Sequence, residues 1–131
     1  MDRRIRDCVL IGMLGMGGSL PRALAQTPDS LPPGVTPEMV TQGKTLFQGV
    51  GLCAACHGPE GKGGLGPDLT DTVWLHHDGG FDALVRQITT GIMLADSKTG
   101  QLMPPRGGGV ITDEQIRSVA AYVWTLSRRK P

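Results

Sequence analysis

The stretch Cys53-Ala54-Ala55-Cys56-His57 concentrates more chemistry than any other part of the chain. Two thiols three residues apart on a helical turn lie on the same side of the backbone, so both sulfurs can face one flat macrocycle and add across its two vinyl groups. The next side chain is an imidazole, one helical step further round, where it can rise beneath a metal at the ring centre. The run therefore reads as the covalent attachment site of a c-type haem, with Cys53 and Cys56 forming the thioethers and His57 as the proximal iron ligand. Ala54 and Ala55 carry no bulk that would hold the ring away.

Other readings of these residues fare worse. A Cys-X-X-Cys pair also serves thiol redox chemistry or half of a zinc site, but structural zinc usually takes four protein ligands and a second knuckle. Cys8 is the only other cysteine and falls in a segment expected to be removed. His76 and His77 have no spacing that pairs with Cys53 and Cys56, and read as a solvated pair on a turn rather than as iron ligands. The glycine-rich run from Gly58 to Leu69 is a loop able to wrap tightly. It is not a phosphate cradle, since no strand precedes it and no Gly-Lys-Ser/Thr opens a helix after it.

A second axial ligand has to come from elsewhere in the chain. Arg3, Arg4 and Arg6 precede an apolar run from Val9 to Leu20 and the small-residue pattern Ala23-Leu24-Ala25, so residues 1–25 read as a secretory signal with the mature chain beginning at Gln26. The apolar run is about a dozen residues, short of the roughly 20 that span a bilayer. Arg3-Arg4 invites a twin-arginine reading, but thioether attachment acts on an unfolded chain and suits a general secretory route better. Past the signal, the thioethers are Met39, Met93 and Met103. Met39 lies ahead of the haem motif, and Met93 reaches the iron only if the loop to Gln101 folds away from it. Met103 is followed by Pro104-Pro105, which disfavours helix at Met103 and stiffens a strap that could press a weakly bonding sulfur onto iron. Local chemistry thus favours Met103 over Met93, with His76 or His77 behind both.

Helices must position these groups. Residues 26–35 hold four of the landmarks of an extended leader, Pro28, Pro32, Pro33 and Gly34. Thr36-Pro37-Glu38 starts a helix to about Gln48, with Val40, Gly43 and Phe47 on one face. Phe81 to Thr90 forms a second, with Leu84, Val85 and Ile88 inward and Gly91 as terminator. Ile92 to Gly109 reads as mostly loop. Thr112-Asp113-Glu114-Gln115 is a capping box opening a last helix on which Ile116, Val119, Ala120, Val123 and Leu126 recur, with Arg128, Arg129 and Lys130 at its negative end.

Composition narrows the function. With the signal go four of the thirteen basic and two of the twelve acidic residues, leaving nine against ten, so no basic stripe points to nucleic acid. Phe47, Trp74, Phe81, Tyr122 and Trp124 are the only aromatics. A single domain over residues 36–131 that is this poor in aromatics and rich in glycine would struggle to build a core, and a buried haem would supply the missing apolar centre.

The pattern from Thr36 to Ser127 resembles a class I c-type cytochrome. The resemblance rests on Gly43 with Phe47, the Cys53–His57 run, Gly66-Pro67-Asp68-Leu69, the helix ending at Ile88 and Gly91, Met103-Pro104, and Tyr122 with Leu126. It implies an all-α fold of three to four short helices around one covalently attached haem c, with the first and last helices crossing where Gly43 and Phe47 meet Tyr122. It also implies that the Pro67 carbonyl accepts a hydrogen bond from His57 Nδ1, that Met103 is the distal ligand, and that Trp74 contacts a haem propionate. Cofactor contacts would then be Cys53, Cys56, His57, Pro67, Trp74 and Met103, with His57 and Met103 on the metal.

With both axial positions filled by protein, such a site suits outer-sphere electron transfer rather than substrate chemistry at the iron. The leading expectation is a monomeric periplasmic one-electron carrier between a dehydrogenase donor and an oxidase or reductase acceptor. The alternative is the haem subunit of a larger periplasmic oxidoreductase. A gas- or peroxide-reactive haem protein is the third reading, and would need Met103 to leave the iron.

Overall fold

In the computed structural model the described residues are 30–128, so the segment read as a signal peptide, most of the leader, Arg129 and Lys130 lie outside them. Helix α1 spans Pro37–Gln48, and it starts where the residue chemistry requires. Thr36 is extended and its hydroxyl accepts a hydrogen bond from Met39 N at 3.3 Å, while Pro37 occupies a first-turn position where no amide is missed. Helix α2 is the short turn Cys53–His57, and α3 runs over Phe81–Thr90. Helix α4, Asp113–Leu126, opens on the full capping box, with Thr112 and Gln115 each accepting from the other's backbone.

The core lies where α4 crosses α1 and is flanked by α3. Gly43, Leu46 and Phe47 form the buried face of α1, against Ile116, Val119, Tyr122, Val123 and Leu126 of α4. Phe47 meets Tyr122 edge to face, with ring centroids 5.3 Å apart and planes at 67°. Ser118 Oγ donates to Gln42 Oε1 at 2.8 Å, adding a polar tie at the same crossing. Val40 and Val85, assigned to inner faces by their spacing, are only half-buried because each lies at the margin of its helix's contact with the rest.

The segment from Ile92 to Gly109 is more ordered than a plain loop. It holds a 3-10 turn at Leu94–Asp96, a tight turn at Pro105–Gly108 with Arg106 and Gly107 in the left-handed region, and an antiparallel bridge between Ile92 and Met103 with paired backbone hydrogen bonds of 2.8 and 3.0 Å. Two backbone groups on each residue are satisfied by the other, which is why the excursion between them closes on itself. Among the described residues no helix is long and apolar enough to cross a membrane.

Phe47 and Tyr122 are each about 1% exposed, so truncating either empties the crossing. Phe47→Ala or Tyr122→Ala should each cost about 3–5 kcal/mol in urea unfolding, with little change in the visible spectrum of the holoprotein. Losses under about 1 kcal/mol would place the stabilising contact of the two helices elsewhere.

Candidate haem site

Helix α2 places its three reactive side chains within five residues. Leu52 enters it in a left-handed conformation, φ 57°, and the turn that follows leaves Cys53 and His57 buried and Cys56 half-buried, with both thiols free. Burial pushes the Cys53 thiol up to about 11 by disfavouring the thiolate, a cost only partly relieved by a backbone hydrogen bond.

The glycine-rich loop then folds back over the motif through its backbone. Gly63 N donates to His57 O at 2.8 Å, Gly66 N to Cys56 O at 2.9 Å, and Leu69 N to Gly61 O at 2.7 Å. At Gly66 the chain runs so close to the imidazole that a Cβ would sit 2.8 Å from His57 Cε1. Only glycine allows that approach, and it brings the next carbonyl, that of Pro67, to 2.9 Å from His57 Nδ1. A carbonyl can only accept, so Nδ1 bears the proton and the lone pair of the neutral ring is left on Nε2. Burial lowers the His57 pKa, and the Pro67 carbonyl opposes the shift. The ring is thereby held in the tautomer and orientation that metal-bound histidines adopt.

Met103 arrives from the other side of the sequence. Its backbone is paired to Ile92, its side chain is half-buried, and Gln87 Nε2 of α3 donates toward its sulfur at 3.9 Å. Met93, by contrast, is 62% exposed. The structure brings Cys53, Cys56, His57, Pro67, Trp74 and Met103 onto the wall of one cleft of about 1160 Å³, counting its open mouth, and Met93 does not line it. The remaining wall is largely apolar, from Leu69, Leu84, Ile88, Val119 and Val123. Two thiols, one imidazole with a free lone pair and one thioether, converging on a large apolar cleft, are a donor set that fits a covalently held haem and no hydrated ion.

The two histidines differ from the solvated pair expected from sequence. His77 stacks on Trp74, with ring centroids 4.9 Å apart and planes at 29°, and its Nδ1 accepts from Gly79 N at 2.8 Å. Its partial burial lowers its pKa. His76 Nε2 accepts from Lys98 N at 3.2 Å, pinning the excursion after Ile92 to the segment before α3. The flat Trp74 ring supplies the surface that draws His77 in, a contact no spacing rule announces. Trp74 and both histidines line the cleft. Gln87, which lines the cleft, is not singled out by sequence reasoning, although it is the polar residue next to Ile88 on α3.

Comparison with known proteins agrees with this geometry. The family described as "Cytochrome C oxidase, cbb3-type, subunit III" matches residues 38–123. Among curated relatives, the cbb3-type cytochrome c oxidase subunit CcoP of Rubrivivax gelatinosus is 38% identical over 92 residues, covering 70% of this chain and 27% of that protein. The cbb3-type oxidase subunit FixPc of Rhizobium leguminosarum bv. viciae is 42% identical over 77 residues, 57% of this chain and 26% of its own length. FixP of Bradyrhizobium diazoefficiens is 38% identical over 89 residues, 66% of this chain and 30% of its own. The chain thus spans under a third of the length of each of these relatives. Among solved structures, cytochrome cL from Methylophaga aminisulfidivorans superposes with a TM-score of 0.55 at 26% identity, over 69% of this chain and 56% of that one. Its likeness supports the helical, cytochrome c-like architecture.

Proposed function

Because the chain belongs to the cbb3-type cytochrome c oxidase subunit III family of c-type cytochrome domains, we propose that it holds one haem c covalently and acts as the electron-transferring haem subunit of a larger oxidoreductase on the periplasmic side. The sequence alone placed a free carrier first. The oxidase subunits among its relatives move the weight to the complex-bound alternative. Activity as an enzyme would then belong to the assembly rather than to this chain.

The observation that carries the reading is the 2.9 Å contact of His57 Nδ1 with the Pro67 carbonyl, made inside the same cleft as Cys53, Cys56 and Met103. Cys53 and Cys56 would anchor the haem through thioethers, and His57 Nε2 and Met103 Sδ would be its axial ligands. When bound, the haem supplies one-electron exchange between ferrous and ferric iron. The protein's own part is positional. Pro67 fixes the imidazole, the apolar wall excludes water, and the strap bearing Met103 keeps a fourth donor at hand so that no substrate need reach the metal.

Two measurements test this. Protein matured in a host that attaches c-type haem should keep its haem through denaturing electrophoresis, and the double variant Cys53→Ser, Cys56→Ser should keep none and should not fold cooperatively. A cooperative apo fold in the double variant would mean that the side-chain core suffices. Purification of the native protein after mild crosslinking should yield it with oxidoreductase partners; elution alone at every concentration would return it to the free-carrier reading.

A further inference from the structure

Between the cleft and the last helix, Pro104-Pro105-Arg106-Gly107-Gly108-Gly109 turns the chain sharply, and Arg106 sits in it at φ 58°, ψ 23°. That region is strained for any residue with a Cβ, and Gly107 beside it adopts nearly the same conformation at no such cost. An arginine persists there because its side chain is held at both prongs. Nη1 donates to the carbonyl of buried Ile111 at 2.7 Å, and Nη2 donates to Asp113 Oδ1 at 2.6 Å in the one ion pair found among the described residues. Asp113 is the first residue of α4. The planar fork of an arginine can meet two acceptors set apart on the backbone in this way, whereas a lysine ammonium meets them as a point charge.

Three residues before Arg106 lies Met103, with its own backbone paired to Ile92. The strap from Met103 to Arg106 is therefore fastened at one end to Ile92, two residues past α3, and at the other to the start of α4. We propose that Arg106 is a positioning residue, a latch to Ile111 and Asp113 that sets how rarely the Met103 sulfur lifts from the iron. The proposal rests on the reading of Met103 as the distal ligand. Strain in the backbone of Arg106 and the two hydrogen bonds of its guanidinium oppose each other, so the strap is closed only while the fork is engaged.

The test is cyanide binding to the ferric holoprotein, read as the limiting rate at saturating cyanide, which reports opening of the sulfur–iron bond. Arg106→Ala should raise that rate about tenfold or more, the kinetic equivalent of losing hydrogen bonds to a charged group. Asp113→Ala, which removes the acceptor, should raise it a few-fold, because the bond to Ile111 remains. Arg106→Gly loses the fork together with the strain it opposes, so it should raise the rate less than Arg106→Ala does and keep or increase the melting temperature. That split is one a merely structural role would not produce. Thr36→Ala, which removes the α1 cap far from the strap, should lower the melting temperature and leave the cyanide rate at its wild-type value. Wild-type rates in Arg106→Ala would overturn the latch; should that variant not accumulate, the same outcome in Asp113→Ala overturns it. The ferric sulfur-to-iron charge-transfer band of the wild type separates the two layers. Its absence removes Met103 as ligand and the latch with it, and its presence with unmoved rates removes the latch alone.

Discussion

Met103→Ala should abolish the ferric sulfur-to-iron charge-transfer band, lower the reduction potential and open the ferrous iron to carbon monoxide, while Met93→Ala should do none of these. The argument begins with placement. Met103 lines the cleft that holds Cys53, Cys56 and His57, and its backbone is fixed to Ile92, whereas Met93 is 62% exposed and outside that cleft. A thioether is a soft donor that favours the ferrous state, so its loss stabilises ferric iron. The fall in potential should be on the order of 0.1 V or more, a part of the roughly 0.8 V over which axial ligands set haem potentials. Alanine leaves no donor to refill the position, and an open site admits carbon monoxide. The reverse pattern would move the ligand to Met93. A wild-type low-spin spectrum without the band would point to His76 or His77, and His77 would then have to leave its stack on Trp74 and its bond from Gly79 N.

Gly43→Ala should cost about 3 kcal/mol, at the upper end of overpacking costs, in urea unfolding, measured as a lowered midpoint at unchanged slope. In an ordinary helix the same change would stabilise the protein by up to about 1 kcal/mol, because alanine is the better helix former. Here the added Cβ would collide with the backbone carbonyl of Ser118 and touch Tyr122 Cβ. A carbonyl in the middle of α4 cannot step aside as the tip of a flexible side chain can. Relief requires α1 and α4 to separate, and their separation uncovers Phe47, Tyr122 and Leu126, each about 1% exposed in the native state. A gain in stability would show that the two helices do not meet at Gly43.

What was legible in the sequence follows from how local its cause is. Thr36-Pro37 and Thr112 to Gln115 mark helix starts through bonds made within one turn, and both helices begin there. The six residues assigned to the haem line one cleft: the Cys-X-X-Cys-His spacing and the Met-Pro-Pro strap state the chemistry of four within a few residues, while Pro67 and Trp74 are legible only through the family resemblance. Contacts between distant segments were not legible. The stack of His77 on Trp74 depends on how the chain turns at Gly79, and the fork of Arg106 depends on where α4 begins relative to the strap. The periodicity that placed Val40 and Val85 inside counts a helix face as uniformly covered, and the crossing of α1 with α4 covers only part of it.

The pairing of α1 with α4 also sets a clock. His57 closes the attachment motif, but the helix that pairs with α1 does not begin until Asp113. At about 5–20 residues per second of synthesis, the motif precedes the end of α4 by several seconds. During that interval Cys53 belongs to an open chain, with the reactivity of a solvent-exposed thiol. In the folded chain Cys53 is buried and its thiol is pushed up to about 11, too high to furnish much thiolate. Thioether formation would therefore be favoured on the nascent or unfolded chain, before the terminal helices close. Because the core is thin in aromatics and the helices close around the haem, folding would wait for attachment and then seal the cofactor in.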